Sequence, residues 1–157
     1  MTRVSEHERL LREAIVQAQE ALARGEIPVG AVLARNGEII ARAGNRVEEL
    51  HDPSAHAEVL CIREACAALG RRRLPGCTLY VTLEPCPMCA GLIAQAGLSG
   101  VVFGARDALA GCCGSVYDLP EDPALPYGQT PSMGGLLEAE CAQLLQDFFK
   151  ARRKRDA

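Results

Sequence analysis

The first 19 residues lack the apolar core of a secretory signal, because Met1 to Gln19 is charged throughout. A cytoplasmic protein is the expectation. That compartment is reducing, so eight cysteines do not read as four disulfides. Cys61, Cys66, Cys77 and Cys141 lie in apolar runs and read as small buried hydrophobes. A basic surplus is also missing. The net charge of −3, taken alone, argues against a nucleic-acid binder. Lysine supplies only 2 of the 17 basic residues. The arginines are unevenly placed, with Arg71, Arg72 and Arg73 consecutive, while Lys150, Arg152, Arg153, Lys154 and Arg155 crowd the end of the sequence. Each cluster fits a solvated helix end or a set of phosphate contacts equally well. No internal repeat and no linker is visible, and 157 residues that are 48% hydrophobic fit one domain, residues 1–157, with a real core. Pro85 to Ala105 carries no charge and is long enough to cross a bilayer, but two prolines, four glycines and Gln95 interrupt it. A membrane span is rejected in favour of a soluble core.

Histidine is scarce as well, and His7, His51 and His56 divide by context. Ser5-Glu6-His7-Glu8 reads as a capping box, which leaves His7 exposed in a first helical turn. His51 falls in a loop, Val47 to Pro53, where a hydrogen-bonding role is the ordinary one. His56 differs because Glu58 follows it and Cys86 and Cys89 lie further along. Cysteines three apart at a helix start point to one side and can chelate one ion, and thiolate and imidazole are ligands that zinc prefers. Three protein ligands leave a fourth position for water, whose pKa zinc lowers toward neutrality. Glu58, two residues from His56, is poorly placed to join it as a ligand and is free to move protons.

The remaining pattern brings these segments together. Leu11, Ala14, Ala18 and Leu22 recur at helical spacing until Gly25. Val29 to Arg35 and Glu38 to Ala43 flank Asn36-Gly37, the strongest short hairpin signal. Ser54 is a candidate cap for a second helix striped by Val59, Ile62, Cys66 and Leu69 and ended by Gly70. Thr78 to Leu83 reads as a central strand, and Pro87 suits the first turn of the next helix. A helix N-terminus lowers thiol pKa, which favours the thiolate that zinc requires. Val101 to Phe103 is a further strand. Tyr117 to Gly135 is rich in proline and glycine and predicts a loop with at most a short edge strand. Leu137, Cys141, Leu144 and Phe148 stripe a last helix. The order predicts an α/β protein, a three-layer α/β/α sandwich around a mixed sheet of about five strands.

His-x-Glu followed by Pro-Cys-x-x-Cys is the signature of zinc-dependent nucleobase deaminases. With Ile27-Pro28-Val29-Gly30-Ala31-Val32, Gly44-Asn45-Arg46, Thr82-Leu83-Glu84-Pro85 and Val102-Phe103-Gly104-Ala105-Arg106-Asp107-Ala108, the chain resembles the bacterial tRNA-specific adenosine deaminases from about Leu10 to Arg153. The resemblance implies a cytidine-deaminase fold, one Zn2+ per chain, a homodimer, and conversion of a wobble adenosine to inosine in the anticodon stem-loop of an arginine tRNA. It further implies that His56, Cys86 and Cys89 are the zinc ligands and Glu58 the proton shuttle. Asn45 matches a contact to the flipped nucleoside, Val29 a wall against the base, and Asp107 a residue at the RNA-facing mouth. The chain departs from the family between Tyr117 and Gly135, where prolines 120, 123, 126 and 131 replace a polar, histidine-containing stretch.

Two other readings compete. One is a sister enzyme deaminating free cytosine or guanine with the same zinc site. The other is a binding module whose structural zinc takes Cys112 or Cys113 as fourth ligand. A closed site has no use for a proton shuttle, so Glu58 argues against the module.

Overall fold

The structure is a computed structural model that describes residues 2–156. Its elements run α1 (Arg3–Ala23), β1 (Gly30–Arg35), β2 (Glu38–Gly44), α2 (Val47–Leu50), α3 (Ala57–Leu69), β3 (Cys77–Leu83), α4 (Pro87–Ala96), β4 (Gly100–Ala105), β5 (Ser132–Met133) and α5 (Glu138–Asp156). The strands form one mixed sheet in the order β2-β1-β3-β4-β5. β1 is antiparallel to both β2 and β3, whereas β3, β4 and β5 are mutually parallel. Asn36 and Gly37 both take positive φ (52° and 77°), as the tight turn between β1 and β2 demands.

Alternation along the strands divides the core between two faces. Val32, Ala34, Tyr80 and Val102 pack on Leu10, Leu11 and Ala14 of α1. Ala31, Leu33, Leu79, Val81, Val101 and Phe103 pack on the opposite side, against α3 and α4. With both faces covered, β3 and β4 can be apolar throughout, which explains why the uncharged run from Pro85 divides into a helix and a strand. The sandwich is the predicted one. Among the described residues no helix is long and apolar enough to cross a membrane. All eight cysteines are free thiols, and Cys61, Cys77 and Cys141 are buried while Cys66 is half-buried.

Helix α1 lies unusually close to the hairpin. Gly30 and Gly44 face each other in the register, and a Cβ on Gly30 would stand 2.1 Å from the Ala14 carbonyl oxygen and 2.3 Å from the Ala18 nitrogen. Those are helix backbone atoms, so the methyl cannot be accommodated by a rotamer change. Gly30→Ala should cost about 1–3 kcal/mol, the usual range for overpacking. Urea unfolding of the variant checks this, and an unchanged midpoint would count against such tight packing.

Several local expectations are corrected. Helix α1 starts before the expected capping box: Thr2 is its N-cap, its Oγ1 accepting from Ser5 N at 3.2 Å, so Ser5 lies inside the helix. His7 is not freely exposed, because its Nδ1 lies 2.7 Å from the Tyr80 hydroxyl across the α1–sheet interface. The loop after β2 contains the short helix α2, and His51 ends it in the left-handed region (φ 50°). Ser54 does not cap α3, since its N–H and hydroxyl both donate to Asp52 Oδ1. His56 takes the N-cap position itself. Leu137 precedes α5 with φ 50°.

Candidate active site

One edge of the sheet collects every candidate residue, and the strand directions explain why. Because β1 runs antiparallel to β3, the start of β1 lies beside the end of β3, and the end of β2 is paired to the start of β1. Val29, just before β1, and Asn45, just after β2, therefore meet residues 83–86 at the end of β3. Asn45 N donates to Val29 O at 3.0 Å. Asp107 follows the parallel neighbour β4 and reaches the same edge. Here the structure encloses a cavity of about 270 Å³, lined among others by Val29, Asn45, His56, Glu58, Cys86 and Asp107. That is close to the lower end of the range for small-molecule sites, about 300–1,000 Å³.

Two helices begin at the cavity. His56 is the N-cap of α3 and Cys86 the N-cap of α4, with Pro87 in the first turn. His56 Nδ1 faces both thiols, at 3.6 Å from Cys86 Sγ and 3.5 Å from Cys89 Sγ. The three ligand atoms all lie within 4.8 Å of one another. Tetrahedral zinc bonds of about 2.3 Å to sulfur and about 2.0–2.1 Å to nitrogen require a nitrogen–sulfur separation of about 3.5 Å, so the donor set fits zinc in both chemistry and spacing. The hydrogen bond from Cys89 brings Cys86 down to about 4, against its burial and with further help from His56. The same bond, added to burial, pushes Cys89 up. His56 is raised by its hydrogen bond to Cys86. A thiolate at a helix N-terminus also benefits from the macrodipole.

Glu58, in the first turn of α3, is 4% exposed, and burial pushes its carboxyl up. It sits against the ligands without belonging to the cluster. Asn45 Nδ2 reaches the Ile27 carbonyl only at 3.5 Å, and its buried Oδ1 has no partner among the described residues. Val29 is 9% exposed and forms a cavity wall. Asp107 Oδ1 accepts from Leu109 N and Ala110 N, which folds its loop back on itself.

Cys112 and Cys113 are buried, but the ligand cluster among the described residues is His56, Cys86 and Cys89 alone. Arg71–Arg73 are placed away from the site. They follow α3, and the Arg73 guanidinium packs on Gly97 just past the end of α4. His56 lies at the other end of the 13-residue α3, about 20 Å away along the axis. Arg152 of α5, by contrast, lines the cavity, and its guanidinium stands 5.8 Å from the Phe148 ring centre.

Two lining residues were not anticipated. Glu26 is 1% exposed, and its two carboxylate oxygens accept from Glu48 N (3.0 Å) and Glu49 N (2.8 Å), fixing the start of α2 beside Asn45. Glu84 is 2% exposed and bonds the loop after β4. A signal existed for the second: Glu84 is the only charged residue between Arg73 and Arg106.

An α/β sandwich with a His-Cys-Cys cluster at two helix starts and a buried glutamate outside that cluster defines a zinc-dependent deaminase. Residues 4–105 match the model of the cytidine and deoxycytidylate deaminase zinc-binding region. A tRNA-specific adenosine deaminase of Bacillus subtilis is 48% identical over 152 residues, covering 97% of this chain and 94% of the relative. A solved structure from work on A-to-I editing by tRNA:A34 deaminases at the wobble position superposes with a TM-score of 0.83 at 44% identity, over 87% of this chain and 99% of that one. A guanine deaminase of Bacillus subtilis reaches 0.61 at 42% identity over 68% and 66% of the two chains. The chain belongs to the cytidine and deoxycytidylate deaminase family and, within it, to the tRNA-specific adenosine deaminases.

Proposed function

We propose that this chain, acting over residues 1–157 as one deaminase domain, hydrolyses the wobble adenosine of a tRNA anticodon to inosine. The observation that carries the mechanism is the placement of Glu58, buried beside a His-Cys-Cys centre on the wall of a base-sized cavity. His56, Cys86 and Cys89 would hold Zn2+. When bound, zinc polarises the attacking water and lowers its pKa toward neutrality. Glu58 takes a proton from the attacking water and delivers it to ring nitrogen N1, then carries the proton of the new C6 hydroxyl to the amine leaving C6. Water and adenosine thus give inosine and ammonia. Burial raises the Glu58 carboxyl toward the range in which one group can both accept and donate. Asn45 Oδ1, lacking a partner among the described residues, accepts a hydrogen bond from the nucleoside, Val29 packs against the base, and Asp107 borders the RNA-facing mouth.

The length of the site favours RNA over a free base. A groove lined by Phe148, Arg152 and Arg155 continues from the cavity through Gly25, Glu48 and Arg152, which line both. An aromatic face with arginines suits unpaired nucleotides and their phosphates. Exposed Leu109, Val116 and Tyr117 on the 109–117 loop, with exposed Met88 on α4, support a homodimer. A cytoplasmic site of action follows from the substrate.

The test is turnover of an anticodon hairpin RNA against free adenosine, guanine and cytosine. The hairpin should exceed free adenosine by several orders of magnitude in kcat/KM, because flanking nucleotides supply orientation that effective molarities value at up to about 10⁵–10⁸ M. A free base turned over as well as the hairpin would assign the chain to the sister reaction.

A further inference from the structure

Glu84 stands immediately before the Pro85-Cys86 segment, yet its carboxylate is directed into the loop that follows β4. Oε1 accepts from Asp107 N at 3.1 Å and Oε2 from Cys113 N and Ser115 N at 3.1 and 3.0 Å. The Ser115 hydroxyl supplies a fourth bond to Oε1. A carboxylate has about four acceptor positions, so none is left over for substrate. Burial alone would raise this carboxyl, but the four bonds outweigh it and hold it below the usual glutamate value. The loop is shaped to receive it. Gly111 leaves the space the carboxylate occupies, since a Cβ there would stand 2.4 Å from Glu84 Cδ and 2.5 Å from the Asp107 carbonyl oxygen. Cys112 N donates to Pro85 O at 2.8 Å, a second tie between the loop and the ligand-bearing segment.

We propose that Glu84 is a positioning residue for the deamination: its buried carboxylate fixes the 107–115 loop, and with it the Asp107 edge of the cavity, relative to the Cys86 segment. The proposal rests on the reading that the cavity binds the target base of an RNA. A neutral or apolar side chain could fill the same volume. What the charge adds is convergence, because three backbone N–H groups and a hydroxyl spread over nine residues, from Asp107 to Ser115, are drawn to one point. The mouth of the site is thereby preorganised before RNA arrives, and its position is set by the residue two before a metal ligand.

The experiment compares the wild-type holoenzyme with Glu84→Gln, Ser115→Ala and the double variant on an anticodon hairpin. Zinc content, kcat, KM and hydrogen exchange of the amides of residues 107, 113 and 115 are measured. Glu84→Gln should keep one zinc per chain, lose protection at those amides, and lower kcat/KM by about 10- to 100-fold, mainly through KM, as expected when a positioning element drifts. Ser115→Ala, which removes one bond of four, should show a smaller effect in the same direction and add nothing in the Glu84→Gln background. A purely structural glutamate would lower stability without this KM-weighted, non-additive pattern. Protection lost with KM unchanged, or Ser115→Ala leaving KM unchanged where Glu84→Gln does not fold, overturns the proposal. A wild type inactive on the hairpin overturns the substrate reading instead, and the two failures are separate.

Discussion

Glu58→Ala retains one zinc per chain and loses deamination by at least about 10²–10⁴-fold, the usual worth of a general acid–base residue. The upper end is expected, because in the proposed reaction one carboxylate both activates the water and protonates the ring and the leaving amine. Metal retention follows from the geometry: the ligand atoms that converge belong to His56, Cys86 and Cys89, while Glu58 lies against them as a separate buried group. Metal analysis and single-turnover rates on the hairpin make the check. Zinc lost from a well-folded Glu58→Ala chain would turn the glutamate into a ligand and leave the proton transfers without a carrier.

Cys86→Ala has the opposite signature. It removes the thiol held down to about 4 at the N-cap of α4, and only His56 and Cys89 remain of the cluster. Zinc affinity should fall by more than about 100-fold, because even a partner outside the ligand shell is worth about 10–100-fold, and turnover should vanish with the metal. Circular dichroism should stay native, since the hydrophobic cores on both faces of the sheet do not include the Cys86 side chain. Cys112→Ser and Cys113→Ser should keep full zinc. Metal lost from either would revive the closed, structural site with a fourth cysteine.

The strand count, the mixed sheet and the clustering of His56, Cys86 and Cys89 were legible because each rests on local chemistry. Asn36-Gly37 fixes a hairpin by backbone preference alone, and Cys86 and Cys89 are brought together by a single helical turn. What escaped was decided between segments. The Ser5-Glu6-His7-Glu8 pattern is a sound cap, but Thr2 offers a hydroxyl one turn earlier and α1 extends to it. His7 reads as solvated until Tyr80, 73 residues away, supplies a hydroxyl. Ser54 looks like a cap until Asp52 claims both of its donors. Glu26 and Glu84 are invisible to any periodicity argument, since the amides they bind belong to other loops and only the fold brings them within reach. A lone carboxylate in an otherwise uncharged stretch is the trace such a residue leaves, because an unpaired buried charge is too costly to keep.

The candidate zinc ligands stand on α3 and α4, with His56 and Cys86 as caps and Cys89 within the first turn, whereas Asn45 and Asp107 stand on loops fastened by the independent carboxylates Glu26 and Glu84. Inheritance can act on these two sets separately. Substitutions in the loops can change which base or which RNA is admitted while the affinity for zinc holds, and a change of substrate need not pass through an apo, inactive ancestor. A purine deaminase could in this way acquire a new client one loop at a time, with the same two helices carried forward unchanged.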